Sequence, residues 1–124
     1  MLLDSNIIIY ASQPEHVSLR QFIAKHAPAV SIVSYIEVLG YHRLTEDPQV
    51  FLERFFQAAV ILPLSNEVAE WAVKLRRRRR MTLGDAVVAG TALAHDRFLV
   101  THNTEDFRWI SELTLCDPLA ESAS

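Results

Sequence analysis

Residues 1–12, MLLDSNIIIYAS, set one carboxylate, Asp4, between two leucines and a run of three isoleucines. Taking a charge out of water costs several kcal/mol unless it is paired or bound to a cation. Met1–Asp4 reads as a short buried strand. Asn6–Ser12 reads as a helical turn whose Ile7, Ile8, Ile9 and Tyr10 are too apolar for a surface. A strand that hands over to a helix across an acid is the repeating step of an α/β layer fold, in which ligands bind at the carboxyl ends of the strands.

Working outward, the same step recurs. Leu19, Phe22, Ile23 and His26 follow helical spacing over 15–26, and Pro28 ends that helix. AVSIVS (29–34) is β-branched and reads as a second strand, with Ser34 as the N-cap of YIEVLGYHRL (35–44) and Glu37 as its capping-box partner. DPQVFLERFFQAA (47–59) starts with Asp47 as N-cap and Pro48 at the first helical position. Its Val50, Phe51, Leu52, Phe55 and Phe56 spread over more than one face, so this helix is expected to be covered on two sides, by core or by a partner. VILPL (60–64) is the third strand, and Ser65 caps a helix with Val68, Trp71, Ala72 and Leu75 inward. LGDAVVAGTALAHD (83–96) is a helix in which Gly90 among alanines implies close backbone packing. RFLVTH (97–102) and ELTLCD (112–117) are the last strands, with a short helix start at NTEDF between them, and 118–124 is a frayed tail. The expectation is one domain over residues 1–124, α/β, with a mostly parallel central sheet flanked by helices in three layers.

Composition narrows the chemistry. A single cysteine, Cys116, excludes an internal disulfide and reads as apolar filler. The opening lacks a basic leader, and no apolar run approaches the ~18 residues of a membrane span, so a cytoplasmic protein with no membrane partner is expected. His16, His26, His42, His95 and His102 show no zinc-site spacing. Net charge is −3, yet Arg76, Arg77, Arg78, Arg79 and Arg80 stand in a row with Lys74 just before them. A polyanion responds to local charge rather than to the total.

Asp4, Glu37, Asp85, Asn103 and Asp106 all fall after a predicted strand or at a helix start, where one sheet edge gathers them. Acids gathered at one place repel, and a divalent cation offsets that repulsion; hard oxygen donors suit Mg2+ or Mn2+. Beside a basic patch, this points to phosphate-ester chemistry. Each residue also has an ordinary reading. Asp4 and Asp85 can cap their helices, Glu37 can serve Ser34, and Asn103 can cap TEDF.

Taken in order, LLDSNIIIYA, SIVSYIEVLG, LGDAVVAGTALAHD and LVTHNTEDF resemble the four motifs of the PIN-domain ribonucleases, most closely the VapC toxins of toxin–antitoxin modules. The resemblance spans nearly the whole chain. It implies a PIN-like fold and divalent-metal-dependent endonucleolytic cleavage of RNA. It implies metal ligation by Asp4, Glu37 and Asp85, an antitoxin partner and a homodimer. The family often has aspartate where Asn103 stands, and Asp106 is the candidate to compensate. Ser5 and Thr101 are candidates for orienting carboxylates or water, and Arg76–Arg80 for holding the RNA. A non-cleaving RNA-binding domain of the same fold is the alternative, favoured by Asn103. A receiver-like signalling domain ranks low, because Lys25 and Lys74 are badly placed for it.

Overall fold

The computed structural model describes residues 1–120; residues 121–124, part of the expected tail, lie outside the described residues. The elements run β1 (Leu2–Leu3), α1 (Ser5–Ala11), α2 (Val17–His26), β2 (Ala29–Ser31), α3 (Ile32–Leu39), α4 (Glu46–Ala58), β3 (Val60–Leu62), α5 (Asn66–Arg78), α6 (Leu83–Ala94), β4 (Leu99–Val100), α7 (Thr104–Phe107) and β5 (Leu115–Cys116). The five strands form one sheet in the order β3-β2-β1-β4-β5. Every neighbouring pair is parallel, with Leu2 opposite Ala29 and Leu99, and Val30 opposite Ile61. All strand carboxyl ends therefore share one edge.

β1 is central, and its Leu2 and Leu3 are fully buried. Leu3 joins Ile7, Ile8, Leu19, Ile23, Val38, Leu52 and Phe56 in a core beneath α1–α4. Leu2 faces the opposite side, with Leu75, Val88, Ala92, Leu99, Phe107 and Ile110. Successive strand residues point to opposite faces, so a two-residue strand supplies both cores. Ile9, expected inside, is 40 % exposed, because a single-layer helix turns one of three adjacent positions outward.

α5 and α6 pack closely through Gly90. A Cβ there would stand 2.9 Å from the Val68 carbonyl oxygen and 3.3 Å from the Ala72 nitrogen. The close packing read from the sequence is thus present. Of the expected inner stripe of α5, Val68, Ala72 and Leu75 are buried, while Trp71 is half-buried beneath Lys74 Nζ.

Two helix starts differ from the sequence reading, and that of α6 falls at Leu83 as expected. α3 begins at Ile32, and its N-cap is Ser31, whose hydroxyl accepts from the Val33 N–H at 3.1 Å. Ser34 is therefore inside the helix and forms no capping box with Glu37. A β-branched run loses only tenths of a kcal/mol in a helix, and a cap at the sheet edge outweighs that. The same helix stops at Leu39, with Gly40 as its C-cap. α4 begins at Glu46 after Thr45, so Asp47 and Pro48 lie in its first turn, where proline removes no helical hydrogen bond. α6 is capped by Thr82, not Asp85: the Thr82 hydroxyl accepts from the Asp85 N–H at 3.1 Å. Within the chain itself, α4 is covered on one side. Leu52 and Phe56 are buried, Val50 is 45 % exposed, and Phe51 and Phe55 are half-buried along a groove.

Candidate active site

Asp4 sits at the end of β1, and its N–H donates to the Val100 carbonyl of β4 at 2.9 Å. Extended backbone at Asp4 turns directly into α1, so the residue is the helix N-cap. One carboxylate oxygen accepts from the Ser5 N–H at 2.8 Å. The other accepts from the Thr101 hydroxyl at 2.9 Å. Each oxygen has further lone pairs, so capping leaves ligating capacity. Asp4 is 5 % exposed. Burial pushes its carboxyl up to about 6; the Thr101 and Ser5 hydrogen bonds pull it back, and the charges of Asp85 and Glu37 push it further up.

Thr101, fully buried, ends β4 and works in two directions. Its hydroxyl donates to Asp4 and accepts from the Asn103 N–H at 3.0 Å. Ser5 opens α1, and its hydroxyl lies 2.9 Å from Ser34 Oγ and 3.2 Å from Glu37 Oε1. Glu37 itself is exposed on α3 and approaches the mouth across Gly84. A Cβ on Gly84 would stand 3.0 Å from Glu37 Oε2. Glycine there leaves room for the carboxylate beside the start of α6.

Asp85 is half-buried in the first turn of α6. Burial raises its carboxyl, the charges of Asp106 and Glu37 raise it further, and the Thr82 hydroxyl opposes them. Asp4 thus feels the charges of Asp85 and Glu37, and Asp85 those of Asp106 and Glu37, from separate elements. Asn103 takes the N-cap position of α7, but its side chain makes no capping bond. Asp106, the other candidate for the fourth acidic position, lies near enough for its charge to reach Asp85.

Among the described residues, Arg78 pairs with Glu112 at 2.9 Å and the His102 ring lies 3.0 Å from Asp117; neither contact touches Asp4, Glu37, Asp85 or Asp106. The donor set, carboxylate and amide oxygens with hydroxyls behind them, suits a hard divalent cation. Among the described residues no three His, Cys, Asp or Glu side chains already stand close enough to hold an ion. Asp4 is clamped by two hydrogen bonds, whereas Glu37 is long and exposed.

Arg76–Arg80 are exposed at the end of α5 and line a depression of about 510 Å3 with Met81. The helix stops at Arg78, and Arg79 is extended, so the run leaves the helix surface partway along. Arg79 lies over the Trp109 ring at 5.6 Å, and the Trp109 indole N–H donates to the Asp106 carbonyl at 3.0 Å. The basic depression thus adjoins the acidic mouth without entering it.

Four residues near the mouth escape the sequence reading as site components. Ser34 reads in sequence as a helix cap, yet it is fully buried with its hydroxyl on Ser5. Thr82 stands three residues from the acid it supports, a spacing that does carry the N-cap signal. Gly84 and Asp117 carry no local signal, because their neighbours are remote in sequence.

Among the described residues, no helix is long and apolar enough to cross a membrane. The family model for the PIN domain matches residues 1–113. No match was found among curated proteins. Among solved structures, a toxin–antitoxin complex from Klebsiella pneumoniae contains a chain 27% identical to this one, with a TM-score of 0.74 over 94% of this chain and 96% of that one. VapBC2 from Rickettsia felis, bound to a DNA fragment from its promoter, is 24% identical with a TM-score of 0.78 over 93% and 96%. DNA-bound VapBC from Salmonella typhimurium is 18% identical with a TM-score of 0.81 over 94% and 96%.

Proposed function

We infer a function from one premise: the chain belongs to the PIN-domain family. It is a divalent-metal-dependent endoribonuclease that hydrolyses RNA phosphodiester bonds, and it is the toxin of a type II toxin–antitoxin pair acting in the cytoplasm. The observation that carries this reading is the buried Asp4, which lies beside the charges of Glu37 and Asp85 and, among the described residues, has no ion-pair partner.

Asp4, Glu37 and Asp85 hold Mg2+ or Mn2+, with Asp106 or Asn103 completing the set. When bound, the cation lowers the pKa of a water and stabilises charge on phosphate oxygens. Thr101 and the Ser5 N–H hold Asp4 in one rotamer, so the ligand is oriented before the ion arrives. Ser5 and Ser34 steer Glu37 toward the mouth. Arg76–Arg80 hold the strand by its phosphates, which gives affinity without sequence preference.

The antitoxin is a separate protein. Support for such a partner is the groove of about 530 Å3 between α2 and α4, lined by Ile23, Pro28, Phe51, Phe55 and Val60 with Arg20 and Arg54 at its rim. Exposed Ile36, Tyr41 and Leu83 are further apolar surface, compatible with a homodimer.

Incubating the purified chain with end-labelled RNA, with Mn2+ or with EDTA, tests the activity. Cleavage that needs Mn2+ and disappears in Asp4→Asn, Glu37→Gln and Asp85→Asn supports the reading. RNA binding with no cleavage under any metal would establish the non-cleaving alternative that Asn103 favours.

A further inference from the structure

Trp109 has no place in the scheme above, yet it touches both the acidic mouth and the arginine run. Its indole N–H donates to the Asp106 carbonyl at 3.0 Å. Asp106 sits on α7, which is only Thr104–Phe107. A single helical turn orders several backbone dihedrals for very few hydrogen bonds, so its surroundings must hold it. Phe107 anchors the turn in the core with Leu75, Val88 and Ile110. Asp106 itself is exposed, so burial of its own side chain does not fix it. Carbonyls at a helix end lack internal donors, and the Trp109 indole supplies one to Asp106.

Trp109 is held in its turn. It packs, half-buried, against the core that contains Leu75 of α5. The Arg79 guanidinium lies over its ring, 5.6 Å from the centroid. Glu112, three residues further on, accepts from Arg78 at 2.9 Å. The end of α5 thus grips the segment after α7 at two points. α5 is packed tightly on α6 at Gly90, and α6 carries Asp85. A continuous set of contacts therefore runs behind the mouth, from Asp106 through Trp109, Arg79, α5 and α6 to Asp85. Short, directed bonds from oxygen to a divalent cation tolerate little error in ligand placement, and the groups behind the ligands set that placement.

We propose that Trp109 is a positioning residue for the divalent cation: its indole, seated by Arg79 at the end of α5, fixes the Asp106 backbone and so presents the Asp106 carboxylate beside Asp85 as a ligand. Of the two candidates left for the fourth position, this commits to Asp106. It also gives Arg79 a task within the chain, apart from any contact with RNA. The inference rests on the metal-dependent reading of the acidic mouth.

The test is Mn2+ binding to the full chain without RNA, read from the electron paramagnetic resonance of free Mn2+. Asp106→Asn should weaken binding. Trp109→Phe keeps a ring and loses the N–H; it should weaken binding roughly three- to tenfold, the scale of one hydrogen bond. In the Asp106→Asn background the same change should do nothing, because a positioning residue acts only through the group it positions. Arg79→Lys keeps the charge and loses the flat guanidinium; it should weaken binding by a smaller factor, and again not in the Asp106→Asn background. A loss in Trp109→Phe that is equally large with and without Asp106 marks a general structural role and overturns the proposal. Unchanged binding in Asp106→Asn, or in both Trp109→Phe and Arg79→Lys, overturns it too. Asp4→Asn separates this from the reading beneath it. A parent that binds Mn2+ through Asp4 while Trp109→Phe and Arg79→Lys are silent loses the proposal alone, whereas a parent that binds no Mn2+ loses both.

Discussion

Replacing Asp4 with asparagine separates the cost of the acid from its use. Below pH 3.8, Asp4 is neutral in both the folded and the unfolded chain; in the folded chain it stays protonated until about 6. The folded state therefore binds the proton more tightly, and stability falls as pH rises from 3.8 to about 6, then levels off. Roughly two units at ~1.4 kcal/mol each make this loss about 3 kcal/mol in the metal-free chain. The asparagine variant has no charge to bury at this position. Its amide oxygen can take the Ser5 N–H, but its NH2 group faces the Thr101 hydroxyl, and that mismatch costs about 1 kcal/mol. The variant should thus be about 2 kcal/mol more stable than the parent near neutral pH in EDTA, and should lose this advantage near pH 4, where the parent is protonated as well. Urea unfolding followed by circular dichroism at both pH values measures it. Mn2+ should stabilise the parent by RT ln(1 + [L]/Kd) and Asp4→Asn far less. An Asp4→Asn chain no more stable than the parent in EDTA near neutral pH, or stabilised equally by Mn2+, would show that Asp4 is neither a buried charge nor a metal ligand.

Close packing, a helix cap and the arginine run each set a further expectation. Gly90→Ala normally gains helix propensity, but its Cβ meets the Val68 carbonyl oxygen at 2.9 Å; thermal unfolding should show a net loss of about 1–3 kcal/mol. Ser31→Ala should cost about 1 kcal/mol by removing the cap on Val33, and a chemical-denaturation midpoint unchanged in Ser31→Ala but lowered in a Ser34 variant that spares Ser5 would return the cap to Ser34. Changing Arg76, Arg77 and Arg80 together to glutamine spares Arg78 and Arg79, which already engage Glu112 and Trp109. Binding titrations across salt should then give a log–log slope shallower by about 0.7 for each phosphate no longer neutralised.

Most of the layer plan is legible because it is written in local chemistry. LLD, AVS and FLV are short apolar runs that alternate with helical spacing, and that alternation implies parallel strands with helices between them. Helix starts are harder to place. Ser31 and Ser34 are equally good caps by composition, and their choice depends on where the sheet edge ends β2. Likewise, Asp85 and Thr82 both carry N-cap chemistry, and packing near Glu37 and Asp106 leaves Asp85 free for the mouth. The surface of α4 defeats a reading by composition because hydrophobicity does not say whether a phenylalanine meets core or groove: Phe56 does the first and Phe55 the second.

Residue type and near-neighbour spacing were enough for the α/β class, the family resemblance and the choice of candidate acids. Only the folded chain brings Thr101 to Asp4 across 97 positions, the charge of Asp106 near Asp85, and Asp117 beside His102. Those relations depend on strand order, and strand order is settled by which buried faces pack together, a property no window of neighbouring residues contains.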